Sequence, residues 1–168
     1  ILKDGSEHGE WILWYRDSWK EHVLTFSNGK KEGKCTNYYQ SGKVKSEGAY
    51  SNDKKNGYWK FYLENGKLEM EGMLKEDMQN GKWIYWHPKS GGKEAEGYYK
   101  NDKQDSIWQY WYESGMVWKK GSYKNGKKNG WWEFYFPNEK KTEAGKFVDD
   151  KQDSLWISWF ESGQKKDE

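Results

Sequence analysis

The sequence predicts an all-β protein, an elongated single antiparallel sheet of tandem 24-residue β-hairpin repeats with about fourteen strands. Three observations predict it. Glycine or serine recurs every 24 residues, at Gly9, Gly33, Gly57 and Gly81 and, after a one-residue insertion near Pro88, at Ser106, Gly130 and Ser154. Turn-forming pairs divide the units twice, and glycine returns too often for an apolar stripe of period 3.6 to survive, which argues against helix. Finally, Leu, Ile, Val and Phe number only 22 of 168 residues, while the chain holds 13 Trp and 13 Tyr. An aliphatic core is excluded, and rings must supply one. Low aliphatic content goes with disorder where aromatics are few and net charge is large; a formal charge of +2 and this many rings argue for a folded chain.

With the opening residue called position 0, the chain divides into a half repeat 1–8, repeats 9–32, 33–56, 57–80, 81–105, 106–129 and 130–153, and a half repeat 154–168. In the opening half repeat, Leu2 and Gly5 match positions 17 and 20 of a unit whose first strand is missing. The first strand of each full unit runs through position 2 (Trp11, Cys35, Trp59, Trp83, Trp108, Trp132, Trp156) and position 5 (Trp14, Tyr38, Tyr62, Trp86, Trp111, Tyr135, Trp159). A turn follows at positions 8 and 9, as in Ser41-Gly42, Asn65-Gly66, Ser114-Gly115 and Ser162-Gly163. The returning strand carries glycine at position 15 (Gly48, Gly72, Gly97, Gly121, Gly145, with Leu24 in the first unit) and Phe26, Tyr50, Leu74, Tyr99, Tyr123 and Phe147 at position 17. Pairs such as Asn28-Gly29, Asn52-Asp53, Asn101-Asp102 and Asn125-Gly126 close the unit, and residues of this kind tolerate the positive φ of two-residue hairpin loops. The chain stops at position 14 of the unit begun by Ser154.

A two-residue loop at positions 8 and 9 sets position 2 opposite 15 and position 0 opposite 17. Each indole is then expected to cover the glycine of its own hairpin: Trp59 over Gly72, Trp83 over Gly97, Trp108 over Gly121 and Trp132 over Gly145, with Tyr50 over Gly33 and Phe147 over Gly130. By alternation, positions 0, 2, 4, 6, 15 and 17 share one face, which collects Trp59, Phe61, Trp108, Tyr110, Tyr112, Trp132, Phe134 and Phe136 as the core. The opposite face carries Lys and Glu together with the position 5 rings. A barrel closed by the two half repeats would leave a lumen too wide to fill, so an open array is expected.

Segments such as Asn56-Gly57-Tyr58-Trp59-Lys60-Phe61-Tyr62-Leu63-Glu64-Asn65-Gly66-Lys67 and Gly121-Ser122-Tyr123-Lys124-Asn125-Gly126-Lys127-Lys128-Asn129-Gly130-Trp131-Trp132 resemble the bacterial variant of the MORN repeat (membrane occupation and recognition nexus) over almost the whole chain. The resemblance implies an antiparallel array of β-hairpins without activity of its own. It also implies a bacterial protein that is exported or held at the cell envelope, and relatives often carry an antitoxin-component label. Cys35 at a Trp position, the glycine-poor unit 9–32 and the inserted loop His87 to Lys93 depart from the pattern.

No catalytic constellation emerges. Gly121 to Lys128 reads G-x-x-x-x-G-K-K, but Lys128 stands where a phosphate loop needs Ser or Thr, and a strand follows where it needs a helix. His8, His22 and His87 lack ligand spacing, His87 takes an aromatic position, and Cys35 reads as a small buried hydrophobe rather than a nucleophile. No cofactor or metal is expected. Basic and acidic residues, 29 and 27, balance too closely for a nucleic-acid binder, and no stretch has the length of a transmembrane segment. What remains is the position 5 row, whose rings recur roughly every 9–10 Å across a sheet. Trp14, Tyr38, Tyr62, Trp86, Trp111, Tyr135 and Trp159 are thus the candidate partner-binding ladder. The expectation is a non-enzymatic scaffold that binds a protein partner. The alternatives are a carbohydrate or cell-wall module that stacks sugars on this ladder, and an antitoxin bound to its toxin. The open end strands offer a route to self-association.

Overall fold

The structure, a computed structural model, describes residues 2–16 and 18–167. The strands are β1 (Leu2–Lys3), β2 (Ser6–Glu7), β3 (Gly9–Trp14), β4 (Lys20–Ser27), β5 (Lys30–Tyr38), β6 (Val44–Ser51), β7 (Lys54–Tyr62), β8 (Leu68–Lys75), β9 (Met78–Trp86), β10 (Lys93–Lys100), β11 (Lys103–Trp111), β12 (Val117–Lys124), β13 (Lys127–Tyr135), β14 (Lys141–Val148), β15 (Lys151–Trp159) and β16 (Lys165–Asp167). Helix is absent among the described residues. β1 and β2 form a small hairpin, and β3 to β16 form one antiparallel sheet of 14 strands in chain order, open rather than closed into a barrel. Contacts group into two units, residues 1–80 and 81–168.

The closing turns follow the expected chemistry. Asn52 and Asp53 have φ of 50° and 67°, and Glu76-Asp77, Asn101-Asp102, Asn125-Gly126 and Asp149-Asp150 repeat that left-handed pair. The turn at positions 8 and 9 differs from expectation. Tyr39 N–H donates to the Lys43 carbonyl and Gly42 N–H to the Tyr39 carbonyl, so the loop holds three residues, Gln40, Ser41 and a left-handed Gly42 at φ 80°. Tyr38 therefore faces Val44, and one extra residue on the return, Lys45, restores Asn37 opposite Ser46. The longer loop and the bulge cancel. That is why Cys35 still faces Gly48, Trp59 faces Gly72, and Trp108 faces Gly121, as the shorter loop had predicted.

Facing is not covering, however. A Cβ built on Gly48 would overlap the indole of Trp59; on Gly97, that of Trp108; on Gly121, that of Trp132; and on Gly145, that of Trp156. Each of these indoles leans back over the glycine of the preceding unit, not over its own hairpin. The register permits both, since Gly121 pairs with Trp108 on one side and Trp132 on the other. A hydrogen bond decides between them. Nε1 of Trp59, Trp108 and Trp132 donates to the position 16 carbonyl of the preceding unit, at Ala49 (3.1 Å), Tyr98 (2.9 Å) and Ser122 (3.0 Å). The expected cover of position 0 fails as well. Nothing lies within 4 Å of a Cβ built on Gly130, and Thr25 rather than Tyr50 is nearest to one on Gly33. Position 0 is a bulge residue held at positive φ, 95° at Gly33 and 84° at Gly130, and its serine versions Ser106 and Ser154 adopt 59° and 66°.

Of the positions predicted for the core face, 2, 4, 6, 15 and 17 form it, and position 0 is the bulge residue just described. Trp59, Trp83, Trp108 and Trp132 are at most 1 % exposed. In the second unit Trp83, Tyr99, Trp108, Tyr123, Trp132, Phe147 and Trp156 meet edge to face in succession, at centroid separations of 4.9–6.3 Å. Lysines lie over these rings where a second layer would otherwise be needed: Lys55 Nζ is 4.9 Å from the Trp59 ring, and Lys128 Nζ is 5.0 Å from Trp132 and 4.8 Å from Phe147.

Candidate functional site

The face away from the core is built from positions 1, 3, 5, 14 and 16. On it, the position 5 ladder is held close to the sheet. Trp14 is 54 % exposed, while Tyr38, Tyr62, Trp86, Trp111, Tyr135 and Trp159 are half-buried. Tyr62 donates its hydroxyl to Glu47 at 2.6 Å, and burial together with that carboxylate pushes its pKa up to about 12. Lysine ammoniums lie 5.7 Å from the Trp111 ring (Lys93), 5.6 Å from Tyr135 (Lys120) and 5.9 Å from Trp159 (Lys141).

The charges between these rings are largely matched within the face. Glu133 accepts from Lys141 at 2.6 Å, Lys120 at 3.1 Å and the Tyr135 hydroxyl at 2.9 Å. Burial alone would raise the Glu133 pKa, but those three donors outweigh it and hold the carboxyl at about 2. Glu96 bridges Lys93 (2.8 Å) and Lys82 (3.4 Å) in the same way, and Lys146 pairs with Asp153 at 3.3 Å.

A second row on this face escaped the sequence reading. Position 1 holds Lys34 and Lys82 in two units but Tyr58, Ile107, Trp131 and Leu155 in others, with exposures of 49 %, 67 %, 53 % and 73 %. In the second unit, Ile107 on β11, Trp131 on β13 and Leu155 on β15 are joined by Tyr98 on β10, 47 % exposed. The signal was available as a switch from charged to apolar at one repeat position, masked because ring content elsewhere reads as core.

Of the histidines singled out from sequence, His87 and His22 have side-chain hydrogen-bond partners, whereas His8 Nδ1 is buried without one among the described residues. His87 Nε2 donates to the Trp111 carbonyl at 3.0 Å, the same service that Tyr15, Tyr39 and Tyr112 perform at position 6 for the carbonyls of Tyr38, Tyr62 and Tyr135. His22 Nδ1 lies 2.7 Å from Asn37 Oδ1. Cys35 is 2 % exposed, and burial raises its thiol pKa, the opposite of what a nucleophile needs. Gly121 to Lys128 spans the end of β12 and a hairpin turn.

Fold and face together define a tandem β-hairpin repeat protein with an aromatic core and no helix long and apolar enough to cross a membrane among the described residues. The MORN repeat variant family is what its repeats are similar to, with matches at residues 31–52, 55–76 and 104–125. No curated protein matches the sequence. Among solved structures, the crystal structure of accessory secretory protein 1, 2 and 3 in Streptococcus pneumoniae aligns at 12 % identity and a TM-score of 0.21. The alignment covers 80 % of this chain and 19 % of that one.

Proposed function

We propose that the protein is a non-enzymatic repeat scaffold that binds a protein partner on the face away from its core. The observation that supports this reading is the exposed row Tyr98, Ile107, Trp131 and Leu155. Around it the carboxylates Glu96, Glu133 and Asp153 are already neutralised by lysines of the same face, so the apolar row is the feature left to a partner. Exposed apolar residues aligned at one register and rimmed by charge are the usual makings of a protein interface. The position 5 rings lie on the same face, four residues further along the strands that carry Ile107, Trp131 and Leu155.

The test is a pull-down read by mass spectrometry, comparing the native chain with a triple variant Ile107→Ser, Trp131→Ser, Leu155→Ser. Because these side chains are exposed, the melting temperature should move little, while a specific protein partner held by the native chain should be lost. Retention of the partner by the triple variant contradicts the reading. So does glycan binding that disappears in Trp86→Ala and Trp111→Ala chains that remain folded, which would favour sugar stacking on the ladder.

A further inference from the structure

Repetition makes a departure visible. Position 12 carries Glu21, Lys45, Glu69, Glu94 and Thr142, but Trp118 in the unit begun by Ser106. That position is the bulged residue of the returning strand: β11 and β12 pair Tyr110 with Lys119 and Trp111 with Val117, which leaves Trp118 unopposed. A bulge re-aims its side chain. Here the indole is 42 % exposed, meets the Tyr110 ring edge-on at 6.4 Å and lies 6.1 Å from the Tyr112 ring.

These three rings and the carboxylates Glu94 and Glu113 line a cleft of about 330 Å³. Among the described residues no ion pair or hydrogen bond engages either carboxylate, in contrast to Glu96 and Glu133. His87, also at the cleft, is occupied by the Trp111 carbonyl. The aromatic wall already holds a cation, since Lys119 Nζ lies 4.1 Å from the Trp118 ring and 4.4 Å from Tyr110.

We propose that this cleft, whose Tyr110 and Tyr112 belong to the core face, receives an arginine side chain presented by a protein partner, an inference that takes from the reading above only that the partner is a protein. A planar guanidinium stacks on an indole while its N–H groups donate to carboxylates, and it gives up its hydration more readily than an ammonium. Two unpaired carboxylates beside three rings supply the complementary charge and surface.

The probe is N-acetylarginine methylamide, titrated into the full chain while the Trp118 indole N–H is followed by NMR, with the neutral citrulline analogue and methyl glucoside as controls. The inference expects a saturable shift for arginine alone. It expects the affinity to fall by about tenfold in Glu94→Gln/Glu113→Gln, as for loss of charge-assisted hydrogen bonds, and the binding to vanish in Trp118→Thr. That last variant should fold normally, because Thr142 occupies the same repeat position. An equal response to citrulline or glucoside, an unchanged affinity in the Gln variants, or no saturable shift overturns the inference. The apolar row stands apart from this cleft. A partner lost with Ile107, Trp131 and Leu155 but no arginine binding would refute the inference alone; arginine binding without a row-dependent partner would refute the wider reading alone.

Discussion

Gly121 and Gly130 sit nine residues apart in sequence and are glycine for different physical reasons. Gly121 leaves room for the Trp132 indole, and a methyl group there collides with ring atoms; Gly130 has open space but a φ of 84°. Gly121→Ala should therefore cost about 3 kcal/mol, the upper range for overpacking a core. Gly130→Ala should cost about 1 kcal/mol, the penalty of a left-handed backbone. Chemical denaturation of the two variants checks the order, and equal losses would contradict the assignment. Glu133 gives a pH test at the same scale. Its folded pKa of about 2 lies below the ordinary carboxylate value, so its contribution to stability is complete above roughly pH 5 and is lost as pH falls toward 2. Glu133→Gln should flatten that acid limb and leave the slope above pH 6 unchanged, as read from melting temperature against pH.

Between elements, the hairpins are tied by contacts that recur at the repeat spacing. Asp53, Asp77 and Asp150 in the closing turns accept from the backbone N–H of Lys31, Lys55 and Lys128, each the second residue of the strand that follows the preceding closing turn, at 2.8, 2.8 and 2.7 Å. The backbone N–H of each aspartate donates to the carbonyl of that same lysine. Asp77→Ala should lose about 1 kcal/mol and Asp77→Asn markedly less, because an amide oxygen still accepts; equal effects in thermal unfolding would show that charge rather than the hydrogen bond matters. Strand order, hairpin spacing and the core face were legible because a 24-residue period fixes them together. The loop at positions 8 and 9 was not, since Ser41-Gly42 suits a two-residue loop as well as the end of a three-residue one, and the bulge at Lys45 leaves no mark in composition.

At the scale of the molecule one rule accounts for both the pattern and its exceptions: at Gly48, Gly97, Gly121 and Gly145 the indole of the following repeat fills the space above the glycine. Leu24 stands at the glycine position of the first unit and Cys35 at the tryptophan position of the second, and the two are paired and buried at 4 % and 2 % exposure. A larger residue below is matched by a smaller one above. Read as cover within one hairpin, these look like two unrelated defects, at Trp11 with Leu24 and at Cys35 with Gly48; read across the junction, they are one exchange of volume. The direction in which a ring leans is not written in register, which is why the sequence alone set the right residues opposite each other and the wrong ones in contact. The candidate surface was half legible for a related reason: position 5 announces itself by its rings, whereas the exposure of Ile107, Trp131 and Leu155 depends on which rings the sheet had already buried. The exchange also supplies the most direct measurement, the unfolding free energies of Leu24→Gly, Cys35→Trp and the double variant. Each single change should cost about 2–4 kcal/mol, one by a cavity and the other by overpacking. The double variant should recover most of that loss, a coupling of about 2 kcal/mol or more, whereas a double variant as unstable as the sum of its parts would contradict the rule.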